Sequence, residues 1–117
     1  MALRPLLQEL ILDDARAAAV GGMDGTLVEA VVKEGGVDLG RMAADLATLM
    51  KLGAFCARKL DGGDLDAVSV TMDRLALLVM ALTPEHFVAV VLRAGGNVAR
   101  ARLAVKKRRS ELVEQLT

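Results

Sequence analysis

Two solidly apolar runs lie close together in the last third of the chain, at residues 75–82 and 87–92. Neither run alternates with polar residues, which is the pattern of a strand whose two faces are both covered. Both runs are therefore predicted to be inner strands of a sheet. The link between them carries Pro84 where a type I turn needs a fixed φ, so the two runs are predicted to form an antiparallel hairpin. Helices must then cover the sheet, which predicts an α+β sandwich.

The amino-terminal third is predicted to supply one helix and a first hairpin. Leucines repeat at helical spacing over residues 3–13, which predicts a short amphipathic helix. Residues 15–21 are rich in alanine, which favours a helix by propensity. However, the glycines at positions 21, 22 and 25 are typical of a strand that enters a turn. We interpret residues 15–21 as a strand. The turn dipeptide Asp24-Gly25 joins that strand to a second one at residues 26–33.

A long helix is predicted in the middle of the chain, over residues 39–60 with Asp38 as its N-cap. At 100° per residue one broad face is predicted to lie on the sheet. That face contains Leu39, Met42, Leu46, Leu49, Met50, Gly53, Cys56, Ala57 and Leu60. Leu52 and Phe55 disobey the pattern, because they fall among the polar side chains on the side that should face water.

An edge strand and a basic helix complete the predicted order. Residues 66–72 alternate cleanly between apolar and polar, as a half-covered edge strand does. Gly95 and Gly96 lead into a carboxyl-terminal helix. Its predicted buried stripe is Val98, Ala101, Val105, Leu112 and Leu116. The predicted order is thus helix, two strands, helix, three strands, helix.

Composition limits the class of protein. The 117 residues fit one domain, residues 1–117, and the formal net charge of zero gives no global attraction to nucleic acid or anionic membrane. A single cysteine, Cys56, excludes an intramolecular disulfide and a thiolate zinc cage. The amino end does not have the pattern of a signal peptide, and no stretch is apolar enough to span a bilayer. A cytoplasmic protein without membrane insertion is expected.

No catalytic, cofactor or metal site is predicted. His86 is the only histidine and lies in a proline turn, and Cys56 is predicted to lie on the core face of the middle helix, so a nucleophilic dyad has little support. The glycine pairs lack the spacing of a phosphate-binding loop and are better interpreted as turns.

The basic segment of the last helix offers an alternative, a nucleic-acid-binding module. Arg100, Arg102 and the run at residues 106–109 supply six cations. They spread around the helix instead of forming a stripe, and no aromatic residue is interleaved to stack on bases. A solvated basic helix is the better interpretation, and nucleic-acid binding is not expected.

The outward Leu52 and Phe55 coincide with the open edge strand at residues 66–72. Edge strands expose unpaired N–H and C=O groups, which proteins cover or pair with another chain. A symmetric dimer would satisfy the apolar patch and the open edge together.

Several local motifs resemble the roadblock family of dynein light chains and their bacterial relatives of the MglB type. The motifs are MDGTLV at residues 23–28, MAADLA at 42–47, HFVAVV at 86–91 and NVARAR at 97–102. The resemblance implies a roadblock/profilin-like α+β fold, with a five-stranded antiparallel sheet in the order 2-1-5-4-3. It places the middle helix on one face and the two terminal helices on the other.

The resemblance also implies a non-enzymatic homodimer, built from the middle helices and third strands, that binds a Ras-like small GTPase. Some bacterial members promote GTP hydrolysis by their partner, for which an arginine would have to reach the partner's phosphates. In this chain Arg41, Arg58 and Arg74 are the possible donors, although a solvated arginine is the better interpretation of each. The interface residues implied in this chain are Thr48, Lys51, Leu52, Phe55, Val68, Val70 and Met72. The candidate partner contacts are Arg41, Asp45 and Arg58. No cofactor is implied.

Overall fold

The structure is a computed structural model and describes residues 2–117. In chain order its elements are α1 (Leu3–Glu9), β1 (Ala15–Gly22), β2 (Leu27–Val32), α2 (Leu39–Lys59), β3 (Ala67–Thr71), β4 (Leu75–Thr83), β5 (His86–Arg93) and α3 (Val98–Glu114). The strands form one sheet in the order β2-β1-β5-β4-β3, and all four neighbouring pairs are antiparallel. The predicted fold class, element order and strand order are confirmed.

Helices cover both faces of the sheet, as the solid apolar runs of β4 and β5 require. Leu46 and Met50 of α2 pack on one face, where they meet Val79 and Val91. The other face is covered by leucines of α1 and by α3. From Phe87 to Leu92 every residue of β5 is buried. The prediction that β4 and β5 are inner strands is therefore confirmed.

The alanines of β1 allow the helices to approach the sheet closely. Ala17 and Ala19 lie under α2, whereas Ala18 faces the terminal helices. Opposite Gly21 stands Phe87, and a Cβ at Gly21 would lie 2.5 Å from the tip of the Phe87 ring. Small residues in β1 thus leave room for larger neighbours, which is why an alanine-rich segment forms a strand here despite its helical propensity.

The ends of the helices differ from prediction mainly at α1. This helix ends at Glu9, four residues before the predicted end at Asp13. The N–H groups of Leu10 and Ile11 donate to carbonyls three residues back, which tightens the last turn and lets the chain enter β1. At α2 the Asp38 carboxylate accepts a hydrogen bond of 3.1 Å from the backbone N–H of Arg41, which confirms the N-cap.

Helix α3 is fixed to the start of β1 by Asp14. Its carboxylate accepts a hydrogen bond of 2.7 Å from the backbone N–H of Asn97 and pairs with Arg100 at 3.4 Å. The Asn97 N–H is the main reason that the pKa of Asp14 lies below its ordinary value, and Arg100 adds to the effect. The predicted buried stripe of α3 is confirmed: Ala101, Val105 and Leu112 are buried, and Val98 and Leu116 are half-buried.

Among residues 2–117, no helix is both long enough and apolar enough to cross a membrane.

Candidate interaction surface

The side of α2 that faces away from the sheet forms an outer ridge, which we define as Arg41, Asp45, Thr48, Leu52, Phe55 and Lys59. All six side chains are exposed, and Leu52 and Phe55 are exposed by 58% and 48%. Lys51 and Arg58 are exposed on the flank of the ridge. The predicted outward position of Leu52 and Phe55 is thus observed. Their role in an interface stays a prediction.

The predicted inner face of α2 is partly wrong. Met42, Cys56 and Leu60 were expected against the sheet but are exposed, Leu60 by 81%. The residues that α2 buries are Leu39, Ala43, Leu46, Ala47 and Met50. The buried face is thus rotated toward Ala43 and Ala47, which are 1% and 2% exposed. A hydrophobicity pattern gives alanine too little weight to detect this rotation.

Strand β3 lies at one edge of the sheet, beside α2. Val68 and Val70 are half-buried and pack on the core beneath α2, and Met72 lies just beyond the strand, 43% exposed. At Gly53 of α2, an added Cβ would lie 2.9 Å from Leu65 and 3.0 Å from Val68. This missing side chain lets α2 approach β3 closely, so the outer ridge and the open edge are neighbouring surfaces.

The outer edge of β3 carries backbone groups with no partner among residues 2–117. The N–H of Ala81 donates to the backbone carbonyl of Asp66, and the N–H of Met72 donates to the backbone carbonyl of Leu75. These two bonds fix the register of the β3–β4 ladder. In this register Ala67, Ser69 and Thr71 occupy non-hydrogen-bonded pairs, so their N–H and C=O groups point away from β4. Sequence reasoning named Val68, Val70 and Met72 and missed these three residues. Their alternate positions in the strand were the available signal.

A groove of about 420 Å³ joins part of the outer ridge to the end of β3. Arg41, Met42 and Asp45 line it from α2, Met72 lines it from the β3–β4 turn, and Leu75 lines it from the start of β4. The structure therefore brings two of the candidate partner contacts, Arg41 and Asp45, next to Met72. Arg58 lies near the other end of α2 and does not line this groove.

The basic residues of α3 are largely engaged in ion pairs. Arg102 and Arg109 both pair with Asp66, at 2.6 and 3.4 Å, and Arg109 also donates to the carbonyl of Ala81. Arg108 pairs with Glu9 at 2.7 Å. The hydrogen bond from Arg102 is the main cause that lowers the pKa of Asp66. These pairs hold α3 to the rest of the fold and weaken the electrostatic basis of the nucleic-acid alternative.

His86 was predicted to lie in the proline turn, but it is the first residue of β5, and Pro84 and Glu85 alone form the turn between β4 and β5. Thr83 Oγ1 lies 3.0 Å from His86 Nδ1. In the neighbouring turn the Asp24 carboxylate accepts from the hydroxyl and the N–H of Thr26, which lowers its pKa. Residues 2–117 contain no group of three side chains able to hold a metal ion.

Solved structures with the same fold include several roadblock proteins. A roadblock/LC7 domain from Streptomyces avermitilis is 22% identical, with a TM-score of 0.86 over 97% of each chain. MglC from Myxococcus xanthus is 24% identical, with a TM-score of 0.72 over 98% of this chain and 99% of MglC. An MglB structure with a tetrameric arrangement is 16% identical, with a TM-score of 0.85 over 95% of this chain and 85% of MglB.

No family model and no curated protein matches the sequence. The structural likeness, which extends over nearly the whole chain, shows that this chain has the roadblock/LC7 fold. The fold implied by the sequence motifs is thereby confirmed.

Proposed function

We propose that this chain is a cytoplasmic, non-enzymatic adaptor of the roadblock type that forms a homodimer and binds a Ras-like small GTPase. One observation carries the proposal: the unpaired edge of β3 lies beside an outer ridge that exposes Leu52 and Phe55. Two copies related by a two-fold axis would pair their β3 edges and bury both ridges. The tetrameric arrangement named for an MglB structure supports self-association on this fold.

The GTPase is proposed from the resemblance to MglB-type proteins, and the chemistry of the surface supports it. Arg41, Met42 and Met72 line the groove together with Asp45, and arginine and methionine are among the residue types enriched in protein interfaces. Within residues 2–117, Arg41, Arg58 and Arg74 form no ion pair. Each of the three is free to contact a nucleotide-bound partner.

The test combines oligomeric state with GTPase binding. Sedimentation equilibrium at micromolar concentration should give twice the chain mass. Calorimetry is then carried out with the Ras-like GTPases from the same genome, each loaded with GDP or a non-hydrolysable GTP analogue. At least one of these GTPases should bind the dimer. A monomer at these concentrations, or a dimer that binds none of the GTPases in either nucleotide state, would reject the proposal.

Whether the chain promotes GTP hydrolysis is measured separately with the same GTPase. If the dimer raises the GTP hydrolysis rate, Arg41→Ala and Arg58→Ala identify whether either arginine is required. If the rate is unchanged by the dimer, the chain acts as an adaptor only.

A further inference from the structure

Strand β2 forms the second edge of the sheet, and its backbone is not bare. The backbone N–H of Lys33 donates to the backbone carbonyl of Arg16. The register of β1 and β2 then places Ala30 and Val32 in non-hydrogen-bonded pairs. The N–H and C=O groups of these two residues therefore point away from β1. They are the groups that an added strand would use.

Both outward groups of Ala30 are occupied by side chains of this chain. Glu29 Oε1 accepts a hydrogen bond of 3.0 Å from the Ala30 N–H, and Arg4 Nη1 donates one of 3.0 Å to the Ala30 carbonyl. Arg4 and Glu29 also pair with each other at 3.4 Å. In an antiparallel ladder one residue of the incoming strand supplies such a donor and such an acceptor together. The Arg4–Glu29 pair thus occupies the place of that residue.

The position of Arg4 is fixed by the core. Arg4 belongs to α1, whose neighbouring Leu3 and Leu7 are fully buried among the residues that pack on the sheet. Helix α1 therefore fixes the backbone of Arg4 beside β2, and the hydrogen bond to Ala30 places the guanidinium near the centre of this six-residue strand. An incoming strand would have to displace it to form a continuous ladder.

The remainder of β2 is well suited to self-association. Leu27, Val28 and Val32 are each more than one-third exposed, and none carries charge. An exposed apolar edge strand is a template for pairing with another chain, and native proteins block or cover such edges. An antiparallel β2–β2 contact around a two-fold axis would use the same residues on both chains.

We propose that the Arg4–Glu29 pair is an edge guard that prevents β2 from pairing with β2 of a second copy. Its importance is greatest in a chain that also associates through β3. Two isologous edges at opposite ends of one sheet would allow association to continue without closure, whereas one guarded edge stops it at a closed assembly.

The test removes the guard and measures mass. Arg4→Ala combined with Glu29→Ala should give a weight-average mass by sedimentation velocity that rises with concentration to at least double that of the original chain. Adding Val32→Lys to this double variant should restore the original mass, since a charge on an exposed edge residue opposes strand pairing. The circular dichroism spectrum should be unchanged in all three proteins.

A second measurement identifies the contact at the level of single amides. The Val32 amide should exchange with solvent rapidly in the original chain and become protected, as concentration rises, in the Arg4→Ala, Glu29→Ala variant. If that variant loses its fold, Arg4→Ala alone leaves every strand residue intact and frees the Ala30 carbonyl, so the Val32 amide should again become protected with concentration, to a smaller extent. A folded variant that keeps the original mass and an unprotected Val32 amide would overturn the proposal.

Discussion

The Lys59 ammonium lies 5.5 Å from the centroid of the Phe55 ring, one helical turn away on the outer ridge of α2. A cation at this distance from an aromatic ring contributes about 0.5–1 kcal/mol when exposed and more when desolvated. Phe55 is 48% exposed and belongs to neither of the two core clusters, so the ring has a partner on its own helix but is not part of the core. This is the position expected of a residue that is buried only on assembly.

The first prediction is that Phe55→Asp separates assembly from folding. In the proposed dimer a carboxylate at this position would place charge in an apolar contact of both copies, at a cost of several kcal/mol of association. The monomer loses no core packing, so circular dichroism should be unchanged while sedimentation equilibrium gives one chain mass. GTPase binding should weaken because the two-chain surface is lost.

Leu103→Asp is the matched control for Phe55→Asp. Leu103 is 60% exposed on α3, which packs on the opposite face of the sheet from α2. The same change there should leave the dimer intact. Unfolding by Phe55→Asp would mean that the ring stabilises the monomer, and a persistent Phe55→Asp dimer would place the interface elsewhere.

The second prediction concerns the bare edge of β3. Ser69→Pro removes an N–H that points away from β4, so the β3–β4 ladder should survive while the proposed edge pairing is weakened. Val70→Pro is the contrasting variant, because Val70 pairs with Leu77 in the hydrogen-bonded register. Sedimentation and thermal unfolding should show a folded protein that dimerises less for Ser69→Pro, and lost stability for Val70→Pro. Equal dimerisation of Ser69→Pro and the original chain would exclude β3 edge pairing.

The fold could be predicted from sequence where one local pattern determines the outcome. The uninterrupted apolar residues of β4 and β5 indicate a strand covered on both sides, and Asp24-Gly25 marks a hairpin turn. The outward Leu52 and Phe55 of α2 also follow from helical periodicity. In each of these cases the signal lies within a single element.

Features that depend on packing between elements could not be predicted in this way. Met42 and Cys56 are exposed because the face of α2 that meets the sheet is centred on Ala43, Leu46, Ala47 and Met50, and periodicity alone did not identify that face. The pairing of Arg102 and Arg109 with Asp66 joins α3 to the residue before β3, and spacing within α3 gives no information on it. The outward groups of Ala67, Ser69 and Thr71 required the register of the sheet.

The third prediction is a pH dependence of stability that originates at Asp14. Its pKa is lowered in the folded chain, so this carboxylate stabilises the fold fully above the ordinary carboxyl pKa of about 3.9. The contribution is lost as pH falls through the lower folded pKa. Asp14→Asn keeps the size and one acceptor but removes the charge, and it should cost on the order of 1 kcal/mol at pH 7.

Urea unfolding between pH 7 and pH 3 tests the Asp14 prediction. The difference in unfolding free energy between the original chain and Asp14→Asn should shrink as pH falls below about 4. Asp13→Asn is the matched control, since Asp13 is exposed and contributes only its backbone carbonyl, to Arg93. A difference that is the same at pH 7 and pH 3 would show that the charge of Asp14 has no role.

The last prediction tests whether the basic residues of α3 have only a structural role or bind nucleic acid. Lys106 and Lys107 are exposed and, within residues 2–117, form no ion pair, whereas Arg108 pairs with Glu9 and Glu111. Replacing Lys106, Lys107 and Arg108 with glutamine should leave the fold and the dimer intact. Lys106→Gln with Lys107→Gln should change the unfolding free energy by less than about 0.5 kcal/mol per site, and the addition of Arg108→Gln should cost slightly more.

The original chain should show no measurable affinity for DNA or RNA near physiological salt in fluorescence anisotropy. Tight binding that weakens steeply with added salt, and that the glutamine variants abolish, would instead establish the nucleic-acid function.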